Sequence, residues 1–192
     1  MEIKKAAKAD ARDLACLVNL AGEGMPEYLW ANLAGEGESP LDVGEKRAAR
    51  DAGNFSYNNA RVCVQDDALQ GMILAYRLPD PCEIADIADY PGPVRPLLAL
   101  EARVPGTWYI NAIATCEAYR GQGVAKKLMA DTEAQAQAFA CEKMSLIVAE
   151  ENVTAKKLYE YLGFTIAYSL PVVTYPGCPR GGCWLLMIKP VS

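Results

Sequence analysis

Trp108-Tyr109-Ile110-Asn111-Ala112-Ile113-Ala114-Thr115, followed shortly by Arg120-Gly121-Gln122-Gly123-Val124-Ala125, is the stretch that decides how this chain folds. The first run is apolar and reads as a strand, and the segment from Gly123 to Ala140 reads as an amphipathic helix. Two glycines and an arginine between a strand and a helix suit the cradling of phosphate. Small residues let the backbone approach an anion, and the helix start offers unpaired N–H groups at a positive dipole end. Two better-known phosphate loops do not fit. The dinucleotide fingerprint needs a third glycine where Lys126 stands, and a P-loop needs Gly-Lys-Ser/Thr, which is missing. Taken alone, the turn reads equally as a glycine-rich connection with a solvated arginine.

A second segment breaks that tie. Met144-Ser145-Leu146-Ile147-Val148-Ala149 reads as a buried strand. It leads into Glu150-Glu151-Asn152-Val153-Thr154-Ala155-Lys156-Lys157-Leu158-Tyr159-Glu160-Tyr161-Leu162-Gly163-Phe164. Asn152 suits a helix N-cap, and Gly163 is placed to end that helix in a left-handed cap. The two motifs, Arg-x-x-Gly-x-Ala and Asn-x-x-Ala-x-x-Leu-Tyr-x-x-x-Gly-Phe, resemble those of the GNAT N-acetyltransferase superfamily, in its order. The resemblance is strong from Trp108 to Phe164 and compatible with the whole length.

The resemblance implies an α/β (mixed α+β) fold, with a mostly antiparallel sheet of six to seven strands flanked by helices. The fourth strand would be Trp108–Thr115 and the fifth Met144–Ala149, parallel neighbours that splay apart around the cofactor. It also implies acetyl-CoA as co-substrate. The backbone of Arg120, Gly121, Gln122, Gly123, Val124 and Ala125 would take the pyrophosphate, and the strand edge at Ile113, Ala114 and Thr115 would pair with the pantetheine amides. The Ile113 N–H would serve as the oxyanion donor. Asn152 would touch the coenzyme arm, and Tyr159 would be the general acid that protonates the leaving thiolate. Each has a plainer reading: strand core for the first three, a cap for Asn152, core packing for Tyr159. Tyr161 is an imperfect rival, because two residues along a helix turn it to another face.

The base is less well marked. An alkylammonium of pKa about 10.4 must lose a proton before it can attack. Several relatives carry a glutamate early on the fourth strand, where this chain has Tyr109, with Asn111 next on the same face. Glu101, Glu23, Glu27 or water remain as candidates, each glutamate reading first as a solvated surface charge.

Composition narrows the field. A chain of 192 residues, 52% apolar and 22% charged, is expected to form one soluble domain, 1–192. The N-terminus lacks the apolar core of a signal peptide and no stretch reaches membrane-span length, so a cytoplasmic protein without membrane contact is expected. The net charge of −5 disfavours a nucleic-acid partner and favours a cationic acceptor, a small-molecule or peptide amine. The seven cysteines, an odd count, are expected as free thiols. Cys178-Pro-Arg-Gly-Gly-Cys183 reads as a reduced turn over a metal clip, because no second cysteine pair accompanies it. The chain has no histidine, which removes Ser-His-Asp and Cys-His chemistry and His-ligated zinc; no metal is expected.

Outside the motif core, the pattern predicts a strand at Ile3 and a helix over Ala9–Ala21 with Asp10 as cap. Further helices are predicted over Tyr28–Leu33, Leu41–Ala52 and Leu97–Ala102. A hairpin joins Arg61–Gln65 to Gly71–Arg77 through Asp66-Asp67. Pro79–Pro96 is the least regular segment, and two last strands fall near Thr165–Val173 and Cys183–Lys189. The acidic residues of the Gly22–Pro40 and Pro79–Pro96 segments, Glu23, Glu27, Glu36, Glu38, Glu83, Asp86 and Asp89, would suit a cationic acceptor. The apolar Trp184–Ile188 run is expected to support a homodimer or to complete the monomer core. Two further readings stay open: a GNAT-like acyl-CoA sensor or interaction module, and an unrelated nucleotide-binding αβ protein.

Overall fold

Asp66 and Asp67 both take left-handed backbone angles, φ +51° and +60°, which close a tight hairpin whose twist matches its strands. That hairpin joins β2 (Ala60–Gln65) to β3 (Ala68–Arg77), and β2 also pairs antiparallel with β1 (Glu2–Lys5). The computed structural model describes residues 1–191 apart from Glu83 and Ala85. Glu83, named above among the acidic residues, lies outside the described residues. The chain's own contacts divide it into two compact units, 1–76 with 111–134, and 77–110 with the rest.

In the first unit, β1 to β3 are covered by α1 (Ala11–Ala21), α2 (Met25–Ala31) and α3 (Pro40–Ala48). Leu14, Ala15, Leu17 and Val18 form the buried face of α1 and join Trp30, Val62, Met72 and Leu74 in one core. Asp10 precedes α1, but its carboxylate accepts from the Ala7 N–H instead of capping α1, because a 3-10 turn over Lys8–Asp10 comes first. Ser39 opens α3 with a reciprocal capping box to Asp42, and Pro40 fills the first helical position. That helix ends four residues short of the expected boundary at Ala52. Arg50 and Asp51 give their carbonyls to Ser56 and Asn58 side chains, which fold the next residues into a turn. The unit also holds Asn111–Thr115, the distal part of β4 (Trp108–Thr115), and most of α5 (Val124–Ala138).

The second unit holds α4 (Arg95–Glu101), the first three residues of β4, β5 (Lys143–Ala149), α6 (Val153–Tyr161), β6 (Thr165–Pro171) and β7 (Cys183–Pro190). β4 and β5 run parallel, pairing Trp108, Tyr109 and Ile110 with Met144, Ser145 and Leu146, while β7 lies antiparallel between β5 and β6. The strand order is β1-β2-β3-β4-β5-β7-β6, one mixed, mostly antiparallel sheet of seven strands flanked by helices, as expected. Pro79–Pro96 is built from 3-10 turns over Ile87–Asp89 and Gly92–Val94, with α4 starting two residues earlier than its pattern indicated. Among the described residues, no helix is long and apolar enough to cross a membrane.

Of the two readings of the apolar Trp184–Ile188 run, the structure shows the one in which it completes the chain's own core. It is interior strand β7, with Leu185, Leu186 and Met187 at most 5% exposed.

Candidate active site

The Arg120–Ala125 turn adopts the shape its sequence called for. Gly121 and Gly123 have φ of +76° and +84°, conformations that side-chain-bearing residues rarely adopt. A Cβ added at either glycine would meet nothing within 4 Å, so an anion has open access to the backbone there. Alternation of left-handed residues along such a turn gathers N–H groups into an anion-binding concavity. α5 begins at Val124, with the Lys127 N–H donating to the Gly123 carbonyl at 3.1 Å. Its first-turn N–H groups therefore have no acceptor within the helix. Arg120 is exposed and lies 3.8 Å from Glu117, a surface pair that contributes little energy and leaves the guanidinium able to turn to a phosphate.

Gly71 has a packing role that sequence reasoning missed, beside the candidate site. A Cβ there would come within 2.6 Å of the Ala114 carbonyl oxygen, 2.9 Å of Val124 Cγ1 and 3.2 Å of Thr115 Cα. Only glycine on β3 lets the end of β4 and the first residue of α5 sit where they do. The Cys116 N–H donates to the Gln70 carbonyl at 2.8 Å and fixes the chain just beyond. Gly71→Val is expected to lower the melting temperature by about 2–12 °C. Overpacking costs about 1–3 kcal/mol, and each kcal/mol moves a chain of this size by about 2–4 °C. An unchanged transition in scanning calorimetry would show that the backbone yields freely. On β4 itself, Ala114 is buried while Ile113 and Thr115 are half-buried, as suits a strand that works through its backbone.

The second unit carries the remaining candidates. Asn152 caps α6 as expected, its Oδ1 accepting from the Ala155 N–H at 3.2 Å. Gly163, φ +93°, ends the helix. The residues before the cap are tied to a later loop. Arg180 Nη1 donates to the Glu151 carbonyl, and the Gly181 N–H donates to the Glu151 carboxylate, both at 3.3 Å. Tyr159 is 7% exposed with its ring edge-on to Phe164, centroids 6.1 Å apart. Burial pushes its phenol up to about 12. Tyr161, its rival, is 74% exposed.

Among the base candidates, Glu27 is occupied locally. Its carboxylate accepts from Asn19 Nδ2 at 2.9 Å while its own N–H donates to Asn19 Oδ1. Glu23 sits in the left-handed region, φ +52°, at the break between α1 and α2. Glu101 is not the solvated surface charge expected. It lies half-buried at the end of α4, where desolvation raises its carboxyl to about 7 against a pull downward from the Tyr109 hydroxyl bonded to it. No pattern in the sequence foretold that pairing.

The model of the acetyltransferase (GNAT) family matches residues 25–164, most of the chain and both motifs. The chain belongs to that family. A 56-residue stretch is 46% identical to an uncharacterized N-acetyltransferase, YycN, of Bacillus subtilis strain 168, covering 29% of this chain and 36% of that protein. The chain thus aligns with about a third of the length of that curated relative. Among solved structures, an N-acetyltransferase from Staphylococcus aureus Mu50 superposes with a TM-score of 0.68 at 24% identity, over 98% of this chain and all of the other. Ard1 from Thermoplasma volcanium superposes with a TM-score of 0.64 at 14% identity, over all of this chain and 97% of the other. At those identities the likeness speaks for the fold alone, and the family model for acetyltransferase membership.

Proposed function

We propose that the protein is an acetyl-CoA-dependent N-acetyltransferase acting by direct attack of an amine, small-molecule or peptide, in a ternary complex. The observation that carries this reading is the glycine pair at the start of α5. Both glycines hold positive φ, and both leave open space over N–H groups at a helix N-terminus, the arrangement a pyrophosphate needs. The acetyl-CoA would supply the activated acetyl thioester. Gly121, Gln122, Gly123, Val124 and Ala125 would hold its pyrophosphate through their backbone, with Arg120 adding charge. Ile113, Ala114 and Thr115 would pair with the pantetheine amides, and the Ile113 N–H would polarise the thioester carbonyl. Asn152 would combine its cap with a contact to the arm, and Tyr159 would protect and protonate the departing sulfur.

Acetyl-CoA turnover with a mixed panel of amines, followed as free thiol release, tests the reading. Thiol release that depends on one class of amine supports catalysis. Calorimetric binding of acetyl-CoA with no release on any polyamine, amino acid, aminoglycoside or peptide N-terminus would point instead to a sensor or interaction module.

A further inference from the structure

Exposure changes abruptly along β4. Trp108, Tyr109 and Ile110 are buried, and Asn111 is exposed. Pairing with β5 ends at the same point, with Ile110 opposite Leu146, so Asn111 is the first residue past the last pair. β4 is the fourth of seven strands, and apart from Asn111 its residues from Ile110 to Ala114 are apolar. Asparagine is depleted in strands, and an exposed one inside a sheet adds nothing to packing. Its side chain is nonetheless held. Asn111 Nδ2 donates to the hydroxyl of Tyr76, the penultimate residue of β3, at 3.3 Å, and Tyr76 is 9% exposed. That bond uses the amide nitrogen and leaves the amide oxygen. Among the described residues nothing donates to Asn111 Oδ1.

Ile113, whose N–H is the proposed donor to the thioester carbonyl, lies two residues further along the same strand. At about 3.3 Å per residue the two positions are about 6.6 Å apart. A nitrogen ready to attack stands about 3–3.5 Å from the carbonyl carbon, and a hydrogen bond spans about 3 Å. One amine nitrogen therefore fits the interval, with Asn111 Oδ1 on one side and the acetyl carbon on the other. An asparagine and a tyrosine bring no charge to that position. An ammonium taken out of water without a counter-charge costs several kcal/mol, whereas a neutral amine needs only its hydrogen bonds.

We propose that Asn111 Oδ1, its amide held by the Tyr76 hydroxyl, receives the acceptor nitrogen as the free amine. The acceptor class is then the α-amine of a residue whose carboxyl is in amide linkage, as at a peptide N-terminus, and not an alkylamine. The proposal rests on the acetyl-transfer reading above. Such an α-amine, of pKa about 7.7–8.0, is roughly one-tenth or more free base at pH 7. An alkylamine of pKa about 10.4 is free base in fewer than about one molecule in a thousand. The net charge of −5 draws the cation to the protein, and its proton stays in water before the nitrogen reaches Asn111. The nitrogen lone pair attacks the thioester carbonyl carbon, the C–N bond forms and the C–S bond breaks, its electron pair leaving on sulfur. The proton lost from nitrogen to solvent balances the one sulfur gains, so the sum is thioester plus amine giving amide plus thiol.

Two isomeric probes with one amine each test this. Nε-acetyllysine amide offers an α-amine, and Nα-acetyllysine amide offers an alkylamine. At pH 7 and saturating acetyl-CoA, wild type should show a kcat/KM at least about tenfold higher for the first. Asn111→Leu should raise KM for the α-amine probe about three- to tenfold, the size of one neutral hydrogen bond, with kcat less affected. Calorimetric acetyl-CoA affinity should not change, and a thermal scan checks that the variant is folded. Tyr76→Phe should add nothing to that KM when combined with Asn111→Leu, because the two residues act as one unit. Asn111→Asp keeps the oxygen and adds the missing charge. It should hold KM for the α-amine probe near the wild-type value and let the alkylamine probe compete several-fold more strongly, which a merely structural role would not produce. A wild type that favours the alkylamine probe, or turns over polyamines or aminoglycosides alone, would overturn the proposal and leave acetyl transfer standing. So would an unchanged KM in folded Asn111→Leu. A wild type that binds acetyl-CoA and acetylates no amine would overturn the acetyl-transfer reading and this proposal with it.

Discussion

Gly123→Val should weaken acetyl-CoA binding by about a hundredfold or more while leaving the protein folded. Gly123 holds φ +84°, which a β-branched residue cannot adopt without strain, so the turn would reorganise and its N–H groups would no longer converge. The added side chain would also fill the open space through which the pyrophosphate must approach. Hydrogen bonds to a charged group contribute about 1.5–3 kcal/mol each, so losing two of them is a loss of about 3–6 kcal/mol. Each 1.4 kcal/mol is about tenfold in affinity, and two such bonds exceed a hundredfold even at the low end. The turn is exposed and packs against nothing at this position, so the cost to stability is the backbone strain alone, about 1–3 kcal/mol, which lowers the melting temperature by several degrees and leaves the protein folded. Titration calorimetry with acetyl-CoA, paired with a thermal scan, separates the two effects. Unchanged affinity in a folded variant would mean that the phosphates bind elsewhere.

The parts of this site that were legible in the sequence are those fixed by local physics. β4 ran from Trp108 to Thr115 as its apolar pattern indicated, and α6 started at the cap Asn152 and stopped at Gly163. A cap and a left-handed glycine are decided by their own backbone and leave a mark in the sequence. Gly71 left none, because what excludes a side chain there is the Ala114 carbonyl, brought to it by sheet pairing. Glu101 was misread for a related reason. Its burial depends on how α4 packs, and its partner Tyr109 belongs to another element. Asp10 failed as a cap for α1 because a 3-10 turn drew its carboxylate to Ala7. The apolar β7 run left a dimer surface and the monomer core both open, because hydrophobicity alone does not say which strand lies at a sheet edge. The order β5-β7-β6 puts it inside.

Tyr159→Phe should lower turnover on the true acceptor by at least about a hundredfold, the lower figure for losing a general acid. The variant keeps the ring, and with it the edge-on contact to Phe164, so core packing and melting temperature should hardly change. Acetyl-CoA affinity should stay within a few-fold, because the thiolate that needs the hydroxyl exists only during reaction. Burial sharpens the expectation. The phenol is pushed up to about 12, so it stays protonated and ready to donate throughout the working range. A free thiol has a pKa of about 8.5, so complete transfer from so weak an acid runs uphill. The hydrogen bond from the hydroxyl would shorten as charge builds on sulfur, and the proton would pass to sulfur as the phenolate left behind is reprotonated from solvent. One consequence is visible in wild type: Tyr159 should contribute no alkaline limb to the pH profile below about pH 10. A Tyr159→Phe variant with near-normal turnover would return this residue to core packing beside Phe164 and leave water as the proton donor.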